Sequence, residues 1–307
     1  MTYTIGETVL DIIINSMDTV QMRPGGSMLN TAISLGRLNI PVSHISLIAN
    51  DRASEMLLSF LEENGVATNC LHREIEIKTS LALAFLDENR NADYSFYKEE
   101  LTKTPDLFFP EVSPFDIVHF GSFFSLNRIL HKPLHEFLIK ARKNKAVILY
   151  DPNFRTPHLP QLNKLMPLIE ANLAVAQIVK ASNDDLENIF KVRTPIDAWN
   201  IIKEYKVEIL VYTMGENGSW VFTAQDSLFV PSNKIEIVST IGAGDTFSAG
   251  IIFYLHQMME QGIRYHQFSR AQWKKCLELA TLFAAETCQS YDNYLSCSFV
   301  NNYHYVR

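Results

Sequence analysis

Cysteine is scarce in this chain of 307 residues: four thiols, at Cys70, Cys276, Cys288 and Cys297, with no paired metal-type spacing. Too few to staple a chain this long, they point to reduced thiols in a cytoplasmic protein. An uncharged apolar run of about 18 residues is also missing, so no transmembrane span is expected. The opening MTYTIGETVLDIII has no basic region and is interrupted by Glu7 and Asp11, which is unlike a signal peptide. Basic residues are outnumbered, 27 Lys and Arg against 34 Asp and Glu, for a net charge of −7. That balance argues against nucleic acid or an anionic membrane surface as partner. GxxxxGK[ST], a strand followed by GxGxxG, and HExxH are all absent, which removes support for P-loop, dinucleotide-binding and zinc-protease chemistry. The nine histidines are scattered; His119, inside the apolar run IVHF, reads as a satisfied core residue, and FGSFFSL (120–126) reads as core.

What remains is an ordinary globular composition, 47% hydrophobic and 20% charged, long enough to bury a large core. Short apolar runs alternate with helical stretches. YTIGETVLDIII reads as a first strand, SMLNTAISLGRL (27–38) as a helix, VSHISLIA as a strand, and ASEMLLSFLEENG as a helix closed by Gly65. FDIVHFGS, AVILYDPN, AQIVKAS and EILVYTMG follow, each ending in Gly, Asp, Asn or Ser. Buried parallel strands joined by helices have this pattern, so the fold class is α/β.

Residues 74–99, EIEIKTSLALAFLDENRNADYSFYKE, break the alternation with a period of two around DENRNAD, which predicts an antiparallel hairpin. Tyr94, Phe96 and Lys98 fall on one face by that period. Two roles fit equally: a lid over a site, or an edge hairpin packed on a neighbour. No repeat or linker divides the chain, so one domain over 1–307 is expected.

The densest chemistry lies in EIVSTIGAGDTFSAGIIFYL (236–255). An extended segment should break at Gly242 and Gly244 and restart as a helix with Asp245 in its first turn. Glycines let backbone N–H groups approach an anion, and the helix dipole adds positive charge there. Asp245 alone could simply favour the helix terminus. Beside an anion hole it is also placed to take a proton from a hydroxyl that attacks a phosphorus.

Five segments in order, RPGGSMLNTAISLGRLNIPVSHISLIAND, YDPNFR, VKASNDDLENIF, YTMGENG and TIGAGDTFSAG, resemble the ribokinase-like (PfkB) family of carbohydrate kinases from Gly6 to about Cys288. GETVLD and YDPNFR are most similar to bacterial fructokinases. The resemblance implies a ribokinase-like fold, a mainly parallel sheet flanked by helices, with a small β lid from about 11–25 and 74–99. It implies phosphoryl transfer from ATP, with Mg²⁺, to a sugar primary hydroxyl, fructose leading. Asp245 would be the base and Gly242, Ala243 and Gly244 the anion hole. Asp11, Gly25, Gly26 and Asn30 match sugar-binding positions, and Arg155 matches an arginine near phosphate or substrate. Phe96 and Lys98 join the substrate set from the hairpin. Ser182, Thr213, Gly215 and Gly218 match the nucleotide region, and Asp185 would order magnesium-bound water.

The chain also departs from the pattern. Ser239, Thr240 and Ile241 replace an Asp-Thr-x that often helps hold a monovalent cation, so potassium is doubtful here. The family's Asn-x-x-Glu stands as Ser182-Asn183-Asp184-Asp185, and Ala49 and Ala53 replace glycines. After Cys288 the expected Gly-Ala of the nucleotide loop gives way to QSYDNYLSCSFVNNYHYVR, so no adenine contact is assigned. Alternatives are a 2-keto-3-deoxygluconate or nucleoside kinase, and a catalytically weakened sugar-binding protein. A homodimer through the lid is a further expectation.

Overall fold

The computed structural model describes residues 1–16, 19–86, 92–154 and 156–305. The chain forms two compact units. One comprises Met1–Pro110, Ile235–Ala249 and Leu282–Arg307; the other comprises Glu111–Lys234 and Gly250–Thr281.

The first unit opens with β1 (Thr2–Ile5), β2 (Val9–Ser16), β3 (Thr19–Gly25), α1 (Ser27–Arg37), β4 (Val42–Ala49) and α2 (Arg52–Glu63). β5 (Val66–Ala67), β6 (Leu71–Glu74), β7 (Ser80–Leu86) and β8 (Ala92–Tyr97) follow. β1 pairs in parallel with β4, and β4 in turn with β5 and β6. A separate four-stranded sheet has the order β3-β2-β7-β8. The segment YTIGETVLDIII is therefore two strands in two sheets, not one. Gly6-Glu7-Thr8 separates the two, and across it the hydrogen-bond partner changes from β4 to β3 and β7. The expected hairpin also starts later than Glu74, because Glu74 ends β6, whose partner is β4. Its two strands do pair antiparallel, from Leu81 opposite Tyr97 to Leu86 opposite Ala92.

Alternate residues of β2 face inward. Val9, Asp11 and Ile13 are buried, and Ile13 packs with Ala84 of β7 and with Ile241. On the other face Val20, Met22, Phe85 and Tyr97 are exposed. This one-sided pattern is what the period of two produces in a sheet with one covered face.

The second unit holds β9 (Ile117–Gly121), α3 (Arg128–Lys143), β10 (Val147–Asp151), α4 (Leu162–Val175), β11 (Ile178–Ser182), α5 (Asn183–Phe190) and α6 (Pro195–Ile202). It continues with β12 (Ile209–Thr213), β13 (Ser219–Phe222) and β14 (Ser227–Val230). β9 to β12 lie side by side in parallel, and β13 and β14 extend that sheet antiparallel. All five residues of β9 and of β10 are buried. Continuous apolar runs, with helices in the connections, are the expected signature of such strands.

The chain closes with α7 (Ala243–Glu260), α8 (Arg270–Thr287) and α9 (Cys297–Tyr305). The described residues 231–241 contain no strand, so the extended segment expected before Gly242 is irregular. A Cβ on Gly250 would lie 2.5 Å from the Ala280 Cα, so only glycine lets α7 approach α8 this closely.

His119 is buried, as read from the sequence, but only half satisfied: Nδ1 lies 3.4 Å from the Leu149 carbonyl oxygen and Nε2 has no partner among the described residues. Burial pushes its pKa down from 6.5 to about 3, with the nearby Lys180 charge adding to the effect. The unfolded chain therefore takes up a proton near 6.5 that the folded protein refuses, so stability is complete above that pH and declines as pH falls toward 3. We expect Tm to fall less steeply between pH 6.5 and 4 in His119→Asn than in the wild type. Equal slopes in thermal melts would contradict this.

Candidate active site

Gly242 has φ +79°, and a Cβ there would sit 2.0 Å from the Asn293 carbonyl oxygen, so the turn before α7 requires glycine twice over. Ala243 N–H donates to Thr240 O at 3.3 Å, and Thr246 N–H closes the first helical turn on Gly242 O at 2.9 Å. Asp245 follows in that first turn, 7% exposed.

Its carboxylate is held from the start of α1. Ser27 Oγ donates to Oδ1 at 2.5 Å and Asn30 Nδ2 donates to Oδ2 at 2.8 Å, while Thr31 Oγ1 donates to the Asp245 carbonyl at 3.0 Å. Ser27 and Asn30 are three residues apart and share a helix face, which is why both reach one carboxylate. Both donors are neutral. They fix the orientation of both carboxylate oxygens. Asn30 was anticipated as a sugar contact. Ser27 was not, and only its place directly after Gly25-Gly26 signals it.

Asp11 is 5% exposed and accepts from Asn293 Nδ2 through Oδ2 at 2.7 Å. A Cβ on Gly25 would lie 2.1 Å from that same Oδ2, and Gly26 has φ +116° with its Cβ position 2.1 Å from Glu7 O. The glycine pair is thus what lets β3 turn into α1 against Asp11. Across the four-stranded sheet, Arg23, Asp11, Ala82 and Phe96 are successive register partners and share one face. Phe96 is 46% exposed. Lys98, just past β8, is ion-paired with Glu7. Arg155 and the Tyr94 side chain lie outside the described residues.

The residues matched to nucleotide lie in the second unit. Ser182 and Thr213 are register partners at the carboxyl ends of β11 and β12. Gly215 has φ +55° and open space where a Cβ would be; Gly218 has φ +90° and a Cβ position 2.4 Å from Val230 O. Ser182 caps α5 in a capping box with Asp185. Asp185 accepts from Ser182 N–H (2.8 Å) and Oγ (2.7 Å) on one oxygen, and from Phe154 N–H (2.6 Å) on the other. Burial, then the charge of Asp151, raises its pKa. Three of about four lone-pair sites are therefore used, and this geometry does not suit a direct metal ligand. Among the described residues there is no group of three or more metal-ligating side chains. Asp151 forms a buried ion pair with Lys180 at 2.9 Å.

Three comparisons bear on this arrangement. The profile of the pfkB family carbohydrate kinases matches residues 2–298. The chain is 33% identical over 238 residues to the fructokinase of Rhizobium leguminosarum bv. trifolii, covering 74% of this chain and 70% of that one. It is 30% identical over 240 residues to the probable fructokinase-6, chloroplastic, of Arabidopsis thaliana, covering 76% of this chain but 62% of that protein's length. In fold it is similar to the fructokinase of Vibrio cholerae O395 in its fructose-, ADP- and calcium-bound form. That match has a TM-score of 0.86 at 19% identity and covers 98% of this chain and 97% of the other. No described helix is long and apolar enough to cross a membrane.

Proposed function

Because the chain belongs to the pfkB family of carbohydrate kinases, we propose that it moves the γ-phosphoryl group of ATP to a primary hydroxyl of a sugar, with fructose the leading acceptor. The observation that carries this reading is Asp245, in the first turn after Gly242–Gly244, with one oxygen bonded to Ser27 and the other to Asn30. The fructokinase relatives support the acceptor class.

In the proposed reaction Asp245 receives the hydroxyl proton as the acceptor oxygen bonds to the γ-phosphorus. The bond from that phosphorus to the β–γ bridging oxygen breaks, and ADP leaves. Gly242 and Gly244 offer amides at the positive end of α7 to the charge on the transferring group, and Ala243 shapes the turn through Thr240. Asp11, Gly25, Gly26, Asn30 and Phe96 would hold the acceptor, with Arg155 near phosphate. Lys98, already committed to Glu7, would fix the end of β8 instead of gripping sugar directly. Ser182, Thr213, Gly215 and Gly218 would serve the nucleotide. Mg²⁺ carried by ATP would neutralise phosphate charge, and Asp185 would meet it only through water. We expect Asp245→Asn to keep sugar affinity in calorimetry while lowering kcat by about 10²–10⁴-fold, the usual worth of a positioned base. A variant with more than half of wild-type turnover would refute the assignment.

We also propose that the four-stranded sheet closes over the sugar. Water competes with the acceptor for the phosphoryl group, and a dry site is the general remedy. Asp11 and Phe96 stand on one face of that sheet, while its other face exposes Val20, Met22 and Phe85, an apolar surface suited to a second copy of the chain. Hydrogen exchange separates the two roles. Protection of 9–16, 19–25, 80–86 and 92–97 should rise on adding fructose alone if the sheet is a lid, and with protein concentration if it joins two copies. Unchanged exchange at saturating fructose would remove the lid.

A further inference from the structure

The stretch QSYDNYLS (289–296), where the family's Gly-Ala is missing, is pinned to the first unit by several bonds. Asp292 Oδ1 pairs with Arg23 Nε at 3.1 Å, Leu295 N–H donates to Ser34 Oγ at 3.2 Å, and Arg37 Nη1 donates to Leu295 O at 2.5 Å. The Arg37 guanidinium also lies 4.6 Å from the centre of the Tyr294 ring. Between these anchors Asn293 is 0% exposed. Its backbone oxygen occupies the space a Cβ on Gly242 would need, and its Nδ2 donates to Asp11 Oδ2 at 2.7 Å. One residue thus touches both the anion-hole turn and the acceptor carboxylate.

The orientation of its amide is settled by chemistry. An ionised carboxylate only accepts, so the NH₂ group must face Asp11 and the carbonyl must point away. That Oδ1 is buried and has no partner among the described residues. Asn30 repeats the arrangement: its NH₂ group donates to Asp245 and its buried Oδ1 has no partner. Buried acceptors are almost always satisfied, and leaving one unpaired is costly. Two such carbonyls, each on an amide that grips a carboxylate of the same unit, are a matched pair of acceptors for ligand hydroxyls.

We propose that Asn293 is an acceptor-binding residue. Its Oδ1 accepts a hydrogen bond from a sugar hydroxyl, and its NH₂ group holds Asp11 ready for another. This rests on the reading that the chain phosphorylates a sugar.

The test uses the full chain with ATP and D-fructose, its monodeoxy analogues, 2-keto-3-deoxygluconate and adenosine, comparing wild type with Asn293→Ala and Asn293→Ser. KM for the acceptor should rise roughly tenfold, the worth of one neutral hydrogen bond, with KM for ATP within about twofold. One monodeoxy fructose that binds wild type weakly should lose nothing further in the variants. Folded variants with unchanged acceptor KM, or with every deoxy penalty intact, would overturn the proposal while leaving the kinase reading standing. Wild type that turns over none of these acceptors would overturn both. A crystal structure of the wild-type fructose complex needs no variant: Oδ1 within hydrogen-bond reach of a sugar hydroxyl supports the proposal, and Oδ1 out of reach overturns it.

Discussion

Two neutral donors on the first turn of α1, Ser27 and Asn30, hold the two oxygens of Asp245 at the first turn of α7. Everything proposed for the chemistry depends on this grip. It joins segments 218 and 215 residues apart in sequence, so it fixes the start of one helix against the start of another. It also aims the carboxylate: a hydroxyl and a carboxamide fix the direction of its two oxygens, as a positioned base requires. The glycines follow from the same constraint, because Gly25, Gly26 and Gly242 are where the backbone must pass close to Asp11, Glu7 and Asn293.

The acids of the second unit show the opposite solution. Asp151 is buried with Lys180, and Asp185 is engaged by Ser182, the N-cap of α5, and by Phe154 N–H. Burial and the Asp151 charge raise the Asp185 pKa, and its lone pairs are largely taken. Asp151 is tied to a buried cation and Asp185 to the start of a helix, whereas Asp245 is held by a hydroxyl and a carboxamide. Environments that differ in this way let one chain assign different tasks to the same chemical group.

Much of this was legible in the sequence. β9, β10, β11 and β12 fall within the apolar runs FDIVHFGS, AVILYDPN, AQIVKAS and EILVYTMG, because a strand buried on both faces has no other composition available to it. The GAGD turn, the Gly-Gly pair and the family were readable because each packs several unusual demands into a few residues. Other features were hidden for physical reasons. The change of sheet between β1 and β2 is marked only by the short Gly6–Thr8 break, and nothing local says which strands pair on either side of it. Glu74 sits in an alternating run, yet its partner strand is β4, which only the tertiary fold decides. Asn293 lies 282 residues from Asp11 and belongs to a segment that looked like a loss, since its sequence lacks the family's loop. No local signal marks a residue whose role is set by such a distant neighbour.

The central claim is that a hydroxyl deprotonated by Asp245 takes the γ-phosphoryl group from ATP. Phosphorus-31 NMR of the wild-type protein with ATP, Mg²⁺ and D-fructose follows all phosphorus species at once. The account predicts one sugar phosphate monoester formed for each ADP, with no inorganic phosphate beyond the no-enzyme control. ADP accompanied by an equal amount of inorganic phosphate, with no ester, would mean that water is the acceptor and would contradict it.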